Sequence, residues 1–234
     1  MIITDRKKLG TSLIDSLVNR QINASNDFTE EVIEKMIKDG VLQEVPIINT
    51  ILGISKTISV THEYFLLRNV MTFLSGLIEL SQKEKEDFVR KIEEDSNFSN
   101  LVGEKLLFIL NKCDCIEKPK LISKVFVEYV RQKISYTELN HIVAGIEKAF
   151  IEDLDEILQV FSLRKDMVSK NLIWERVFYC GFSNQRVNTR MGEYLKSLVT
   201  KPYSVFKGNL IEYEVNKYGI RFAEIILEDK FRNT

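Results

Sequence analysis

The chain has 234 residues, of which 44% are hydrophobic and 29% are charged, which predicts one large domain, alone or with a small appendage, and excludes wholesale disorder. Ten glycines and three prolines are too few for a loop-rich β-sandwich or barrel. The formal net charge of -1 gives no overall attraction to nucleic acid or anionic lipid. An odd number of cysteines, with no disulfide framework, favours reduced thiols and a cytoplasmic protein, and the N-terminus lacks the apolar run of a secretory signal.

The longest uncharged stretch, VPIINTILGIS at residues 45–55, predicts a buried helix that begins at Pro46. Its isoleucines and leucine are spread around most of the helix circumference, and Gly53 is expected to allow a close neighbour. About eleven helical residues cover roughly 16 Å, about half of a bilayer's hydrocarbon core. The centre of a helical bundle is therefore the favoured place for this segment. An apolar hairpin over residues 46–80 that inserts into a membrane when triggered stays open as an alternative.

Helix signals recur along the chain as far as residue 162. Apolar residues at helical spacing predict a helix over residues 3–20. A second helix is predicted in DFTEEVIEKMIKDG, with Gly40 as its stop, and a third in THEYFLLRNVMTFLSGLIEL, with Thr61 as its N-cap. Two capping boxes follow, Ser81 with Glu84 and Ser135 with Glu138, and Pro119 is predicted to open a helix between them. The short links between these segments predict a multi-helix bundle over residues 1–162.

The pattern changes after residue 162. A polar break, LRKDMVSK, precedes a helix in NLIWERVFYC that stops at Gly181, and QRVNTRMGEYLKSLV has the apolar spacing of a further helix that includes Val187. YSVF and LIEYEV, joined by a turn at KGN, predict a β-hairpin, and NKYGIRFAEIILED predicts a closing helix. Residues 163–234 are thus expected to form a small winged-helix-like α+β module, in a protein that is mainly α.

No pattern of catalytic or metal-binding residues is present. His62 and His141 are far apart, and Cys113, Cys115 and Cys180 are most simply read as small apolar residues. The acidic groups EED (93–95) and EDLDE (152–156) are read as solvated helix faces. We therefore expect no catalytic residue, no metal, no cofactor and no enzymatic activity.

Residues 186–221 are the exception to the neutral charge pattern, with seven basic side chains against three acidic ones. Two of the basic residues stand four apart on the predicted helix, and Lys207 is placed at the hairpin tip. In a winged-helix arrangement such positions contact phosphates. The candidate contacts to nucleic acid or to a partner are Arg186, Arg190, Lys196, Lys201, Lys207, Lys217 and Arg221.

Two parts of the chain resemble a known group. The segments VPIINTILGISKTISV and EKLLFILNKCDCIEKPKLISKVFVEYVRQKISYTELNHI, within residues 45–162, look like bacterial helical proteins found beside mobile elements. IEYEVNKYGIRFAEII is similar to the closing YxLTxxG wing and helix of those chains, with VNKYG where a threonine is usual. The group is the Abi-alpha-like abortive-infection proteins, and the resemblance implies antiphage or prophage-linked activity without a known catalytic residue.

Three functions follow as hypotheses. The first is a non-enzymatic protein of bacterial defence or a prophage that acts through protein–protein contacts. The second is a DNA-binding regulator that uses the C-terminal module, and the third is a membrane-acting effector that uses the 46–80 hairpin. The sequence does not specify the oligomeric state.

Overall fold

The computed structural model describes residues 2–19, 32–33, 35–36, 39–40, 44–54, 60–162, 168–169, 172–187 and 211–232, and all structural statements refer to them. The described chain is mainly helical, as predicted, and also holds a small sheet. It divides into two compact units, residues 1–139 and 140–234. The predicted domain border after residue 162 falls inside the second unit and stays a prediction.

The elements are numbered in chain order. The helices are α1 (Ile2–Ser16), α2 (Pro46–Ile54), α3 (Val60–Gly76), α4 (Gln82–Glu93), α5 (Ser96–Lys112), α6 (Glu117–Val130), α7 (Tyr136–Lys148), α8 (Ile151–Ser162), α9 (Leu172–Tyr179) and α10 (Lys217–Arg232). A 3₁₀ turn, Leu77–Glu79, extends α3. The strands are β1 (Val168–Ser169), β2 (Ser183–Val187) and β3 (Ile211–Val215).

The packing of α1 on α5 depends on two glycines. A Cβ on Gly103 would lie 2.8 Å from the Cα of Gly10, so the two backbones are in direct contact there. α2 also packs against α1, where the Ser16 hydroxyl accepts a hydrogen bond of 2.9 Å from the backbone N–H of Ile47. That bond satisfies an N–H that the first turn of α2 cannot pair internally.

The uncharged segment forms a helix that begins at Pro46, as predicted, but its surroundings differ from the prediction. Ile47, Ile48 and Ile51 are buried, whereas Asn49 and Gly53 are exposed. Among the described residues, no atom lies within 4 Å of a Cβ built on Gly53, so the structure shows no close neighbour there. The helix buries one face. None of the described helices is long and apolar enough to cross a membrane.

Both predicted capping boxes are confirmed. The Ser81 hydroxyl accepts from the Glu84 N–H at 3.2 Å, and the Glu84 carboxylate accepts from the Ser81 N–H at 2.7 Å. Ser135 and Glu138 repeat the arrangement at 3.2 and 2.9 Å. Thr61 is no cap, because α3 already begins at Val60.

Two further helix starts and stops bear on the predictions. α6 begins at Glu117, so Pro119 lies within its first turn instead of opening it. Gly40 has φ +73°, which suits the predicted helix stop, although most of the helix predicted before it lies outside the described residues.

The second unit contains a three-stranded antiparallel sheet in the order β1-β3-β2. Its core centres on Phe182, whose ring stacks on Phe222 with centroids 5.2 Å apart. Gly145 in α7 faces that ring closely, because a Cβ there would lie 2.5 Å from it. Gly181 has φ +86° and ends α9 as predicted, turning the chain into β2.

The structure corrects two local predictions in this unit. Ser183–Val187 is a strand, whereas Arg186 and Val187 were predicted to lie in a helix. Val168–Ser169, predicted to lie in a polar break, pairs with β3. Residues 211–215 form the second strand of the predicted hairpin, but YSVF and the KGN turn lie outside the described residues.

Candidate functional site

The structure places three of the seven predicted basic contacts. Arg186 lies in β2, where its Cα partner on β3 is Glu212, and Lys217 and Arg221 lie in α10. Because Arg186 lies in a strand, the prediction that it belongs to a helix and shares a helix face with Arg190 is wrong. The others, Arg190, Lys196, Lys201 and Lys207, lie outside the described residues.

Lys217 and Arg221 stand four apart on α10, but only Arg221 forms an ion pair with a carboxylate in the same helix. Arg221 donates from Nη1 to the Glu224 carboxylate at 3.0 Å. Lys217 is exposed, and its Nζ lies 4.9 Å from the ring centroid of Tyr218. His141 stacks on the same tyrosine at 4.2 Å with 16° between the rings. The exposed cation thus adjoins a pair of stacked rings.

A second feature, termed here the aromatic surface, consists of Phe150, Arg176 and Tyr179. The Arg176 guanidinium donates two hydrogen bonds to the Asp153 carboxylate, from Nη2 at 2.7 Å and from Nε at 3.0 Å. These bonds raise the pKa of Arg176 further above its usual value. The guanidinium carbon lies 6.0 Å from the Phe150 ring centroid. Tyr179 follows Arg176 by three residues, hence on the same side of α9.

Exposure distinguishes this surface from an ordinary helix face. Phe150 is 62% exposed and Tyr179 is 71% exposed, while Asp153, the hydrogen-bond partner of Arg176, is only 1% exposed. The prediction that Asp153 belongs to a solvated acidic helix face is therefore wrong. The buried position could have been noticed from its neighbour Leu154 and from Ile157 four residues on, both buried. Its pairing with a residue 23 positions away had no sequence signal.

A third feature is a cavity of about 850 Å³ in the first unit, between α4, the start of α5 and the end of α6. Tyr129 lies in its wall, and burial, aided by Tyr136, raises the pKa of Tyr129 to about 12. Gln132, with φ +59°, is the one non-glycine residue with positive φ among those described. The lining comprises Glu84, Asp87, Phe88, Arg90, Lys91, Ile92, Glu94, Asp95, Phe98, Tyr129, Val130, Arg131 and Gln132.

The cysteines lie at three separate places in the described chain. Cys113 is buried and its thiol donates to the Ile109 carbonyl at 3.4 Å, which fits its reading as a small apolar residue. Cys115 and Cys180 are half-buried, and burial raises the pKa of the Cys115 thiol, which lowers its thiolate fraction. Within the described residues no three His, Cys, Asp or Glu side chains gather as a metal site would require.

No protein-family model, curated protein or solved structure matches this chain. The resemblance to the Abi-alpha-like proteins therefore stays a prediction, and the geometry of the described residues is what bears on function.

Proposed function

We propose that the protein is a non-enzymatic binding protein that contacts a protein partner through the aromatic surface. The observation that carries the proposal is an arginine that a buried carboxylate holds in place, with the exposed Phe150 ring 6.0 Å from its guanidinium and the exposed Tyr179 three residues on in the same helix. Aromatic and arginine side chains are the types most enriched at energetically important interface positions.

Arg176 is prepared for binding before any partner arrives. Its two hydrogen bonds to Asp153 fix the guanidinium plane, and the partner therefore has less side-chain freedom to remove. The Phe150 and Tyr179 rings have few rotamers to lose and present large apolar faces. Binding energy is thus expected to come from apolar contact with the rings, while hydrogen bonds from Arg176 orient the partner.

The charges beside the aromatic surface select the partner's chemistry. Glu152 is exposed and within electrostatic range of Arg176, and Glu175 precedes Arg176 in α9. Because Asp153 already neutralises Arg176, the Glu152 carboxylate adds negative charge near the guanidinium. A protein that presents an apolar side chain flanked by lysine or arginine complements this arrangement. A second copy of the chain would bring the same carboxylates together, which disfavours self-association.

The biological setting of this proposal is bacterial antiphage defence or prophage biology. Its support is the resemblance of residues 45–162 and of the C-terminal segment to Abi-alpha-like proteins. A protein of that kind is expected to respond to a protein trigger or to restrain a protein effector.

The experiment compares two surface variants with a matched control. Phe150→Ser and Tyr179→Ser remove the rings, and Phe108→Ser removes a ring that is 56% exposed on α5 and has the Lys112 ammonium 4.4 Å from its centroid. Each tagged protein is used for affinity purification from host lysate, with melting curves to verify folding. We expect one captured protein to be lost with both surface variants and retained with the control.

Two results would refute the proposal. One is an identical set of captured proteins for the wild type and all three variants. The other is a concentration-dependent dimer in sedimentation velocity that Phe150→Ser dissolves, which would assign the surface to a second copy.

DNA contact through a winged-helix-like C-terminal unit is a second proposal, favoured by the exposed Lys217 next to the stacked rings of Tyr218 and His141. Cations bind phosphates with strong salt dependence, and aromatic rings add stacking with bases. We expect retention on DNA-cellulose at low salt that weakens with Lys217→Gln. If the protein flows through the DNA-cellulose column at about 50 mM salt, where phosphate contacts are strong, the proposal is ruled out.

A further inference from the structure

We propose that the solvent face of α5 is a docking surface for an acidic amphipathic helix of a partner protein. This face, termed here the α5 stripe, is formed by Leu101, Lys105, Phe108 and Lys112. The α5 stripe lies in the first unit and shares no residue with the aromatic surface, so this proposal does not depend on the proposed function.

The side chains of the α5 stripe follow one another at intervals of four, three and four residues. That is the alternation of a and d positions in a helix that packs along another helix. Leu101 is 53% exposed and Phe108 is 56% exposed, whereas the residues that follow them, Val102 and Ile109, are buried. α5 therefore places one apolar face in the core and leaves two large apolar side chains on the opposite side in water.

The two lysines of the α5 stripe are not neutralised within the protein. Lys105 and Lys112 are both exposed, and within the described residues neither ammonium pairs with a carboxylate. Lys112 instead lies over Phe108, with Nζ 4.4 Å from the ring centroid. By contrast, the basic side chains that do pair with carboxylates in the described chain include Arg90, Lys118, Arg131, Lys133, Arg176 and Arg221.

The one carboxylate in the sequence of α5 belongs to Glu104, and its side chain is directed elsewhere. A Cβ built on Gly10 would lie 3.0 Å from the Glu104 Cγ, so this side chain passes along α1. The α5 stripe itself thus has two positive charges, which alternate with two apolar side chains.

This alternation selects among possible occupants. A helix with carboxylates near Lys105 and Lys112 and apolar residues opposite Leu101 and Phe108 satisfies all four side chains. In a parallel pair of two copies each lysine would face its own equivalent, which disfavours self-association. A lipid surface binds in proportion to the apolar area it buries, and two side chains offer little.

Fluorescence anisotropy with two labelled peptides of about three heptads tests the proposal. Both peptides have the same leucine positions and differ in the flanking residues, which are glutamate in one and lysine in the other. Each is used below the concentration at which it self-associates. We expect one glutamate peptide per chain, bound at least about tenfold more tightly than the lysine peptide.

Three variants identify the site. Phe108→Ser should weaken binding of the glutamate peptide by about tenfold, as for a central apolar interface residue. Lys105→Glu should reverse the order of the two peptides, because it replaces an attraction by a repulsion. Lys148→Glu makes the same charge change at an exposed position at the end of α7 and should leave binding unchanged. All three positions are exposed, so melting curves should match the wild type.

Several results would overturn the proposal. They are no saturable binding of the glutamate peptide, equal affinity for both peptides, and equal losses with Lys105→Glu and Lys148→Glu. A concentration-dependent dimer that Phe108→Ser dissolves would assign the α5 stripe to a second copy, and binding to phosphatidylglycerol vesicles that Phe108→Ser abolishes would assign it to a membrane. In affinity purification, a protein that depends on the α5 stripe should differ from the one that depends on Phe150 and Tyr179.

Discussion

Ile51→Asp is the sharpest test of how the uncharged segment is placed. Ile51 is 5% exposed in α2, and Ile47 and Ile48 on the same helix are fully buried. Asn49, two residues earlier, is exposed. Introducing a carboxylate at Ile51 therefore puts it among apolar side chains, while Asn49→Asp adds the same charge to the same helix on its solvent side.

The expected loss follows from two contributions. Removing a buried isoleucine side chain costs about 2–3 kcal/mol of apolar burial. Burial that raises the pKa of the new carboxyl by roughly three units costs about 4 kcal/mol more at neutral pH, at 1.36 kcal/mol per unit. The total of about 6–7 kcal/mol approaches or exceeds the stability of many domains, which is about 5–15 kcal/mol.

Urea and thermal unfolding measure this loss directly. We expect Ile51→Asp to lose its cooperative transition or to become insoluble, and Asn49→Asp to stay within about 0.5 kcal/mol of the wild type. Because the folded-state pKa is raised, any folded Ile51→Asp protein should lose stability as the pH rises from about 4 towards 7. A variant that melts like the wild type but no longer binds liposomes would instead support the membrane hairpin.

Two further predictions concern packing and pH. Gly103→Ala should destabilise the protein by about 1–3 kcal/mol, because its methyl group meets the backbone of Gly10. Gly53→Ala, which meets no described atom within 4 Å, should be neutral or stabilising in the same unfolding assay. Hydrogen bonds from Ser81 lower the pKa of Glu84. The ionised Glu84 carboxylate therefore stabilises the fold at pH 7, and this stabilisation is lost as the pH falls through the lowered pKa. The difference in unfolding free energy between the wild type and Glu84→Gln should close in acid. A difference that persists at about pH 2 would contradict this.

Features that depend on residues close in the chain could be predicted from the sequence. The two capping boxes each join residues three positions apart, and the start of α2 follows from the fixed φ of Pro46. The stop at Gly181 is local in the same sense, because a left-handed residue suffices to end a helix. In each case one short motif determines the local structure.

Features that depend on distant partners could not be predicted. SNQRV has little β-propensity of its own, and it forms β2 because β3 pairs with it, from Ser183 opposite Val215 to Val187 opposite Ile211. The bond between Asp153 and Arg176 likewise spans 23 positions. Neither partner could be identified from the other by spacing or composition, so the aromatic surface became visible only in the fold.

Two observations, one in each unit, are of the same kind. Asp153 is a carboxylate removed from water, and Gln132 is a glutamine in a backbone conformation that favours glycine. Each departs from a local preference, and each presents a group at a surface: the guanidinium of Arg176 in one unit and the amide beside Lys91 in the other. Because the two places share no residue, a variant of one serves as a control for the other. Lys91→Gln should therefore leave partner capture through the aromatic surface intact; loss of capture in that variant would mean that the fold, and not the surface, had been damaged.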